Sequence, residues 1–128
     1  MTTEAPKLKV GDLHVAYSTI AEIVKEHEAQ KIKVPSKAAY WLARILKRLE
    51  PEYVPAENAR IALIKEFGEQ DGDSLKVLPE RLTEFHAKWA EVCNVESDIV
   101  PLKVKIDTLE GVEMTPQQML LIEKFVEE

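Results

Sequence analysis

Cys93 and His86 are the first residues to weigh for chemistry, because a cysteine nucleophile needs its imidazole base within hydrogen-bonding reach. Both fall on one predicted helix, seven residues apart. Seven residues of helix separate their backbones by about 10.5 Å. They form no dyad, and Cys93 reads as a small apolar residue at a helix end. His14, His27 and His86 are scattered, and neither His27-Glu28 nor Glu84-Phe85-His86 has the spacing of zinc ligands. No metal site is expected, and the histidines read as surface or edge residues. Asp71-Gly72-Asp73-Ser74 with Glu80 lacks the alternating oxygen donors and closing glutamate of a calcium loop, so it reads as a turn. The four glycines, at 11, 68, 72 and 111, build no phosphate-cradling loop. Acidic side chains are numerous, but no pair is singled out for acid–base work. The chain is expected to be no enzyme and to need no cofactor.

The residues that do combine are basic and aromatic. Lys37, Trp41, Arg44 and Arg48 recur at intervals of 4, 3 and 4, which is one stripe of a helix, flanked by Tyr40 and Lys47. This stripe is offset from the apolar face of Leu42, Leu46 and Leu49. An aromatic anchor ringed by guanidinium groups is the composition of an interface hot spot. It also suits a nucleic-acid backbone. The competing reading makes Trp41 a core residue with the basic stems packed over its edge. A net charge of −6 opposes binding that depends on neutralising phosphates, so a protein partner is favoured over nucleic acid. The charge is uneven. Residues 31–49 hold six Lys and Arg and no acid, whereas 107–128 hold six acids against Lys124 alone. The acidic segment can fold back onto the basic helix or pair with that of another copy. Surface ion pairs contribute too little each to choose between these.

The elements that must position these residues follow from apolar spacing. At 128 residues the chain has the usual size of one domain, and 45% hydrophobic content excludes a disordered one. A flexible tail is expected at 1–6 and a single globular domain over 7–128. No apolar run approaches the roughly 20 residues that span a bilayer. MTTEAPKLKV has no signal-peptide pattern, and the lone Cys93 excludes an internal disulfide. A cytoplasmic site and no membrane partner are expected.

Lys7–Val10 alternates as a short strand would, and Asp12 is a candidate N-cap. Leu13, Ala16, Tyr17, Ile20, Ile23 and Val24 predict a helix over about 12–28. Lys31–Val34 alternates again. Leu42, Leu46, Leu49, Tyr53, Ala56, Leu63 and Phe67 then hold one helical phase, with Arg60 as the polar step, straight across Pro51 and Pro55. One long helix over 36–67, kinked near the prolines, is predicted. The rival is two helices, with Pro51 opening the second. Gly68 ends that helix, Asp71-Gly72-Asp73 turns, and Leu75–Leu78 is a short strand. Pro79 opens a helix carrying Leu82, Phe85, Trp89 and Val92 that ends near Asn94. Leu102–Ile106 is the cleanest alternating strand. Thr115, Pro116 and Gln118 spell a capped helix start, with Met119, Ile122, Phe125 and Val126 as its buried side. The fold class is α+β and helix-dominated: about four helices, with up to four short strands that can pair into one small sheet.

The run Val34-Pro35 through Ala43, then Leu46-Lys47-Arg48-Leu49-Glu50, then Arg60 to Gly68 and Glu69, resembles a family of small uncharacterised proteins of tailed bacteriophages and prophages. There a long Lys- and Glu-rich helix ends in an acidic, glycine-bearing turn. The stretch Leu102–Glu128 is similar too, with its short strand, Leu-Glu-Gly turn and Thr-Pro-Gln helix start. The likeness spans about residues 30–128 and is carried by capping and core residues. Pro51 and Pro55 depart from the family's smooth helix. The resemblance implies a phage or prophage origin and no enzymatic activity, and it carries no functional residue over. The expected function is that of a non-enzymatic accessory protein acting through protein–protein contacts, in virion assembly or structure. Its partner would be a phage or host protein, or a second copy, in the host cytoplasm or on the virion. The alternatives are a small acidic inhibitor or regulator of a host complex, such as a defence nuclease or the transcription machinery, and a nucleic-acid-binding accessory protein.

Overall fold

Leu13, Ala16, Ile20 and Ile23 lie on one face of α1 (Val10–Glu28) and are all sealed from solvent. They pack against Ala38, Leu42, Ile45 and Leu49 of α2 (Ser36–Phe67), and these two stripes make the centre of the core. Val34, Val104, Leu109, Ile122 and Phe125 close it. Each fully buried Leu, Ile or Phe contributes roughly 1.5–3 kcal/mol relative to exposure. The computed structural model describes residues 8–100 and 102–127, with only the backbone of Asp71, so the expected tail at 1–6 lies outside the described residues.

α1 begins two residues before the predicted cap. Asp12 acts from inside the first turn, where its Oδ2 accepts from the Lys9 backbone N–H at 3.3 Å. Nor is there a strand ahead of it among the described residues. Val10 N–H donates to Val95 O at 2.8 Å and Ser97 N–H to Leu8 O at 2.7 Å, which leaves one bridge, Lys9 to Glu96. α1 ends in a Schellman motif: Lys31 N–H reaches Glu26 O, Gln30 N–H reaches His27 O, and Gln30 takes the left-handed conformation at φ 59°. The predicted strand at 31–34 does not form, because the N–H and C=O of Lys33 are both engaged by Glu113.

α2 runs unbroken through Pro51 and Pro55, which overturns the two-helix reading. Each proline removes a backbone donor and can cost about 3 kcal/mol in a helix interior. Both face solvent, so water can satisfy the carbonyls they strand, while the apolar stripe on the opposite side keeps its register. α2 passes directly into β1 (Gly68–Asp71), which pairs antiparallel with β2 (Ser74–Val77), Gly68 opposite Val77 and Asp71 opposite Ser74. Gly72 turns the hairpin at φ 62°, as the first position of a two-residue type II′ turn requires.

A short 3₁₀ turn at Pro79–Arg81 leads into α3 (Leu82–Cys93), which packs on the second half of α2 and the start of α1. Gly11 permits that approach, since a Cβ there would stand 2.8 Å from the Cβ of Cys93. The predicted strand 102–106 shrinks to β3 (Val104–Lys105), and Ile106 departs into a 3₁₀ turn over Ile106–Leu109. α4 (Pro116–Leu121) has the predicted capping box: Thr115 Oγ1 accepts from Gln118 N–H at 3.1 Å, and Thr115 N–H donates to Gln118 Oε1 at 3.0 Å. It is shorter than expected. A 3₁₀ turn at Glu123–Phe125 follows, and Val126 belongs to β4 (Val126–Glu127), parallel to β3. Of the predicted strands only those at 75–78 and 102–106 contribute, each paired with a segment not expected to be a strand, so the result is two separate two-stranded pairs and not one sheet. No helix among the described residues is long and apolar enough to cross a membrane.

Candidate functional site

Because Leu42, Ile45 and Leu49 turn inward, α2 carries Lys37, Tyr40, Arg44, Lys47 and Arg48 on its outer side, all exposed. Trp41 sits between the two. Its indole is half-buried against the edge of the core, and the Arg44 guanidinium lies 4.9 Å from its ring centroid. The same guanidinium is 5.8 Å from the ring of Tyr40, which meets Trp41 edge-on at 6.0 Å. Trp41 is thus neither wholly core nor fully exposed, and the more open aromatic of the stripe is Tyr40, at 59% exposure. Cation–π contacts of this kind are worth about 0.5–1 kcal/mol at an exposed site. They also restrain Arg44 before anything binds, which lowers the entropy lost on docking.

Arg48 is fixed differently, by donating from Nε to the carbonyl of Val100 at 3.2 Å. Arg44, Lys47 and Arg48 with Leu102 line a shallow cleft of about 300 Å³. Lys37 stands apart from it, lining a mixed-charge cleft of about 490 Å³ with Pro35, Lys105, Asp107, Thr108 and Glu110. Among the described residues no carboxylate makes an ion pair with Lys37, Arg44, Lys47 or Arg48. Asp107 and Glu110 of the acidic C-terminal segment share the cleft of Lys37, but among the described residues none of that segment's carboxylates pairs with Arg44, Lys47 or Arg48. The segment's Lys124 pairs with Asp12 of α1 at 3.0 Å, and Glu113 is engaged with Lys33.

A second constellation escaped the sequence reading. Glu57 on α2 receives Arg60 through Nε and Nη2, and His14 Nε2 of α1 approaches its Oε2 at 2.7 Å. The Arg60 hydrogen bond, reinforced by that of His14 and opposed by partial burial, holds the Glu57 carboxyl at about 2. An ionised carboxylate can only accept, so His14 Nε2 carries the proton between them. Tyr53 stacks on His14 at 5.0 Å and on Tyr17 at 3.9 Å, and Trp89 of α3 meets His14 edge-on at 5.1 Å. Burial and the Glu57 charge push the Tyr53 phenol up. His14 is therefore no surface histidine; its side chain is 13% exposed. Arg60 in the apolar phase of α2, one turn from Glu57 and two from Tyr53, was the available signal. His14, however, lies 43 residues from Glu57, a pairing that no local pattern shows.

This cluster is built to clamp three helices. A general base needs a free lone pair and a pKa near the working pH. Glu57 has both oxygens occupied and a carboxyl far below that range. Cys93 is no better placed as a nucleophile, since burial, with the Asp12 charge second, pushes its thiol up. His86 is exposed on α3 and stays seven residues from it. No group of three or more His, Cys, Asp or Glu among the described residues is arranged to hold a metal ion. No protein-family model, curated protein or solved structure matches the chain. The basic–aromatic face of α2 is thus the candidate site, and the cluster is part of what holds α2 in place.

Proposed function

We propose that the chain is a non-enzymatic accessory protein that docks an acidic protein surface on the outer face of α2. One observation carries this reading: an acidic protein, net charge −6, keeps Arg44, Lys47 and Arg48 side by side with no intramolecular carboxylate partner among the described residues. Two of the three are preorganised, Arg44 by Tyr40 and Trp41 and Arg48 by Val100. Fixed guanidinium groups beside an exposed aromatic ring favour a structured protein partner carrying carboxylates. The resemblance of residues 30–128 supports a phage or prophage accessory role, with virion assembly as the setting and the host cytoplasm as the place where the partner is met.

The test uses the full chain carrying Trp89→Phe, so that Trp41 alone reports. Titration with a glutamate- and leucine-rich peptide should shift its emission saturably. Binding should weaken about tenfold or more at high salt and on Arg44→Ala plus Lys47→Ala. Duplex DNA and a lysine-rich peptide are the controls. Saturable binding of DNA with none of the acidic peptide would replace this reading with nucleic-acid binding. Indifference to all three would remove the site.

A further inference from the structure

Two clefts border the outer side of α2, and only one of them is balanced in charge. Lys37 and Lys105 share theirs with Asp107 and Glu110, two cations against two carboxylates. Arg44, Lys47 and Arg48 line the other with Leu102, and none of the three has a carboxylate partner among the described residues. Three like charges around a space of about 300 Å³ repel one another, and an incoming anion relieves that repulsion.

The donors left open in this cleft suit one kind of anion. Arg48 uses Nε on the carbonyl of Val100 at 3.2 Å, so its two Nη groups are positioned but make no hydrogen bond among the described residues. Arg44 lies against the rings of Trp41 and Tyr40 and, like Lys47, donates to no acceptor among the described residues. A single carboxylate brings one charge and two acceptor oxygens, and it leaves two of the three cations unanswered. A phosphate monoester brings roughly −1.5 to −2 at neutral pH and three strong acceptor oxygens. A nucleic-acid backbone brings only one charge per phosphate, and a net charge of −6 opposes its approach.

We infer that the cleft of Arg44, Lys47 and Arg48 takes a phosphate monoester dianion, carried on a phosphorylated side chain of the partner protein. This rests on reading the α2 face as a dock for an acidic protein surface, and it names the group of that surface which fills the cleft. Docking is then switched on by phosphorylation of the partner. Val100, 67% exposed beside Arg48, and Leu102 supply an apolar flank for the residue next to the phosphorylated one.

Trp41 emission of the full Trp89→Phe chain reads the test, with circular dichroism to confirm that each variant is folded. The probe is one glutamate- and leucine-rich peptide made with phosphoserine, glutamate or serine at its centre. At pH 7.5 the phosphoserine form should bind about tenfold or more tighter than the glutamate form. The gap should narrow at pH 5, below the second phosphate pKa of about 6, where the group carries little more than one charge. Lys47→Ala should narrow it too, whereas Lys105→Ala in the balanced cleft should leave it unchanged. Equal binding of the phosphoserine and glutamate forms, or a gap undiminished at pH 5, overturns the dianion and leaves the docking face standing. If no peptide binds, both fall. Inorganic phosphate alone should bind at least about tenfold more weakly than the phosphopeptide. Equal affinity would make the free ion the ligand and overturn the protein partner. An oligothymidylate that binds as tightly as the phosphopeptide would overturn it in favour of nucleic acid.

Discussion

From Ser36 to Leu49, α2 buries Ala38, Leu42, Ile45 and Leu49 against α1, about one residue per turn; from Pro51 to Phe67 it buries only Ala56 and Phe67. α3, which supports this distal half, has no fully buried residue. One continuous helix is thus held in two ways. The proximal half rests on apolar burial. The distal half rests on a polar and aromatic clamp, with Glu57 tied to Arg60 and His14 and the rings of Tyr17, Tyr53 and Trp89 packed around them. Apolar burial tolerates small displacements, whereas a charged hydrogen-bonded network fails when one member is lost. The proposed docking face lies on the proximal half, the more deeply packed of the two, which suits a surface whose side chains must be preset.

The largest effect should come from breaking the proximal half. Leu42→Ala deletes a fully buried side chain and should cost about 3 kcal/mol in denaturant unfolding. If it costs no more than an exposed substitution, the division fails. Next is the clamp. Glu57→Gln removes the charge shared by Arg60 and His14 and should cost about 2 kcal/mol at neutral pH. Its pH dependence is specific. A carboxyl held at about 2 instead of its ordinary 4.5 adds stability that is present in full above 4.5 and lost as pH falls towards 2. Acid unfolding of Glu57→Gln should therefore be flatter between those values. An unchanged acid limb would show that the clamp contributes little.

Smaller effects sharpen the contrast. Thr115→Ala removes the N-cap of α4 and should cost about 1 kcal/mol, read as a lower melting temperature. Ile61→Ala, on the exposed side of the distal half, should cost under about 0.5 kcal/mol. Hydrogen exchange orders the regions directly. Amides of α3 and of 60–67 should open before those of 38–49, and equal protection would mean that α2 unfolds as one unit.

Several features were legible locally, because the physics behind them is local. The unbroken phase of Leu42, Leu46, Leu49, Tyr53 and Phe67 pointed to α2 as one helix, since a helical face needs only its own sequence to stay in register, while the structure removed the rival of a second helix opening at Pro51. The capping box of Thr115 and Gln118 spans three residues, and the turn at Gly72 spans two. The basic–aromatic stripe follows from the same periodicity. Strands and clamps are another matter. Lys31–Val34 and Leu102–Ile106 alternate alike, yet only the second donates a strand, because Val126 and Glu127 arrive beside Val104 and Lys105 while Glu113 occupies Lys33. His14 and Glu57 carry no mark of each other in the sequence. A hydrogen bond between side chains 43 residues apart exists only once the core has set α1 against α2, so the tertiary structure alone decides it.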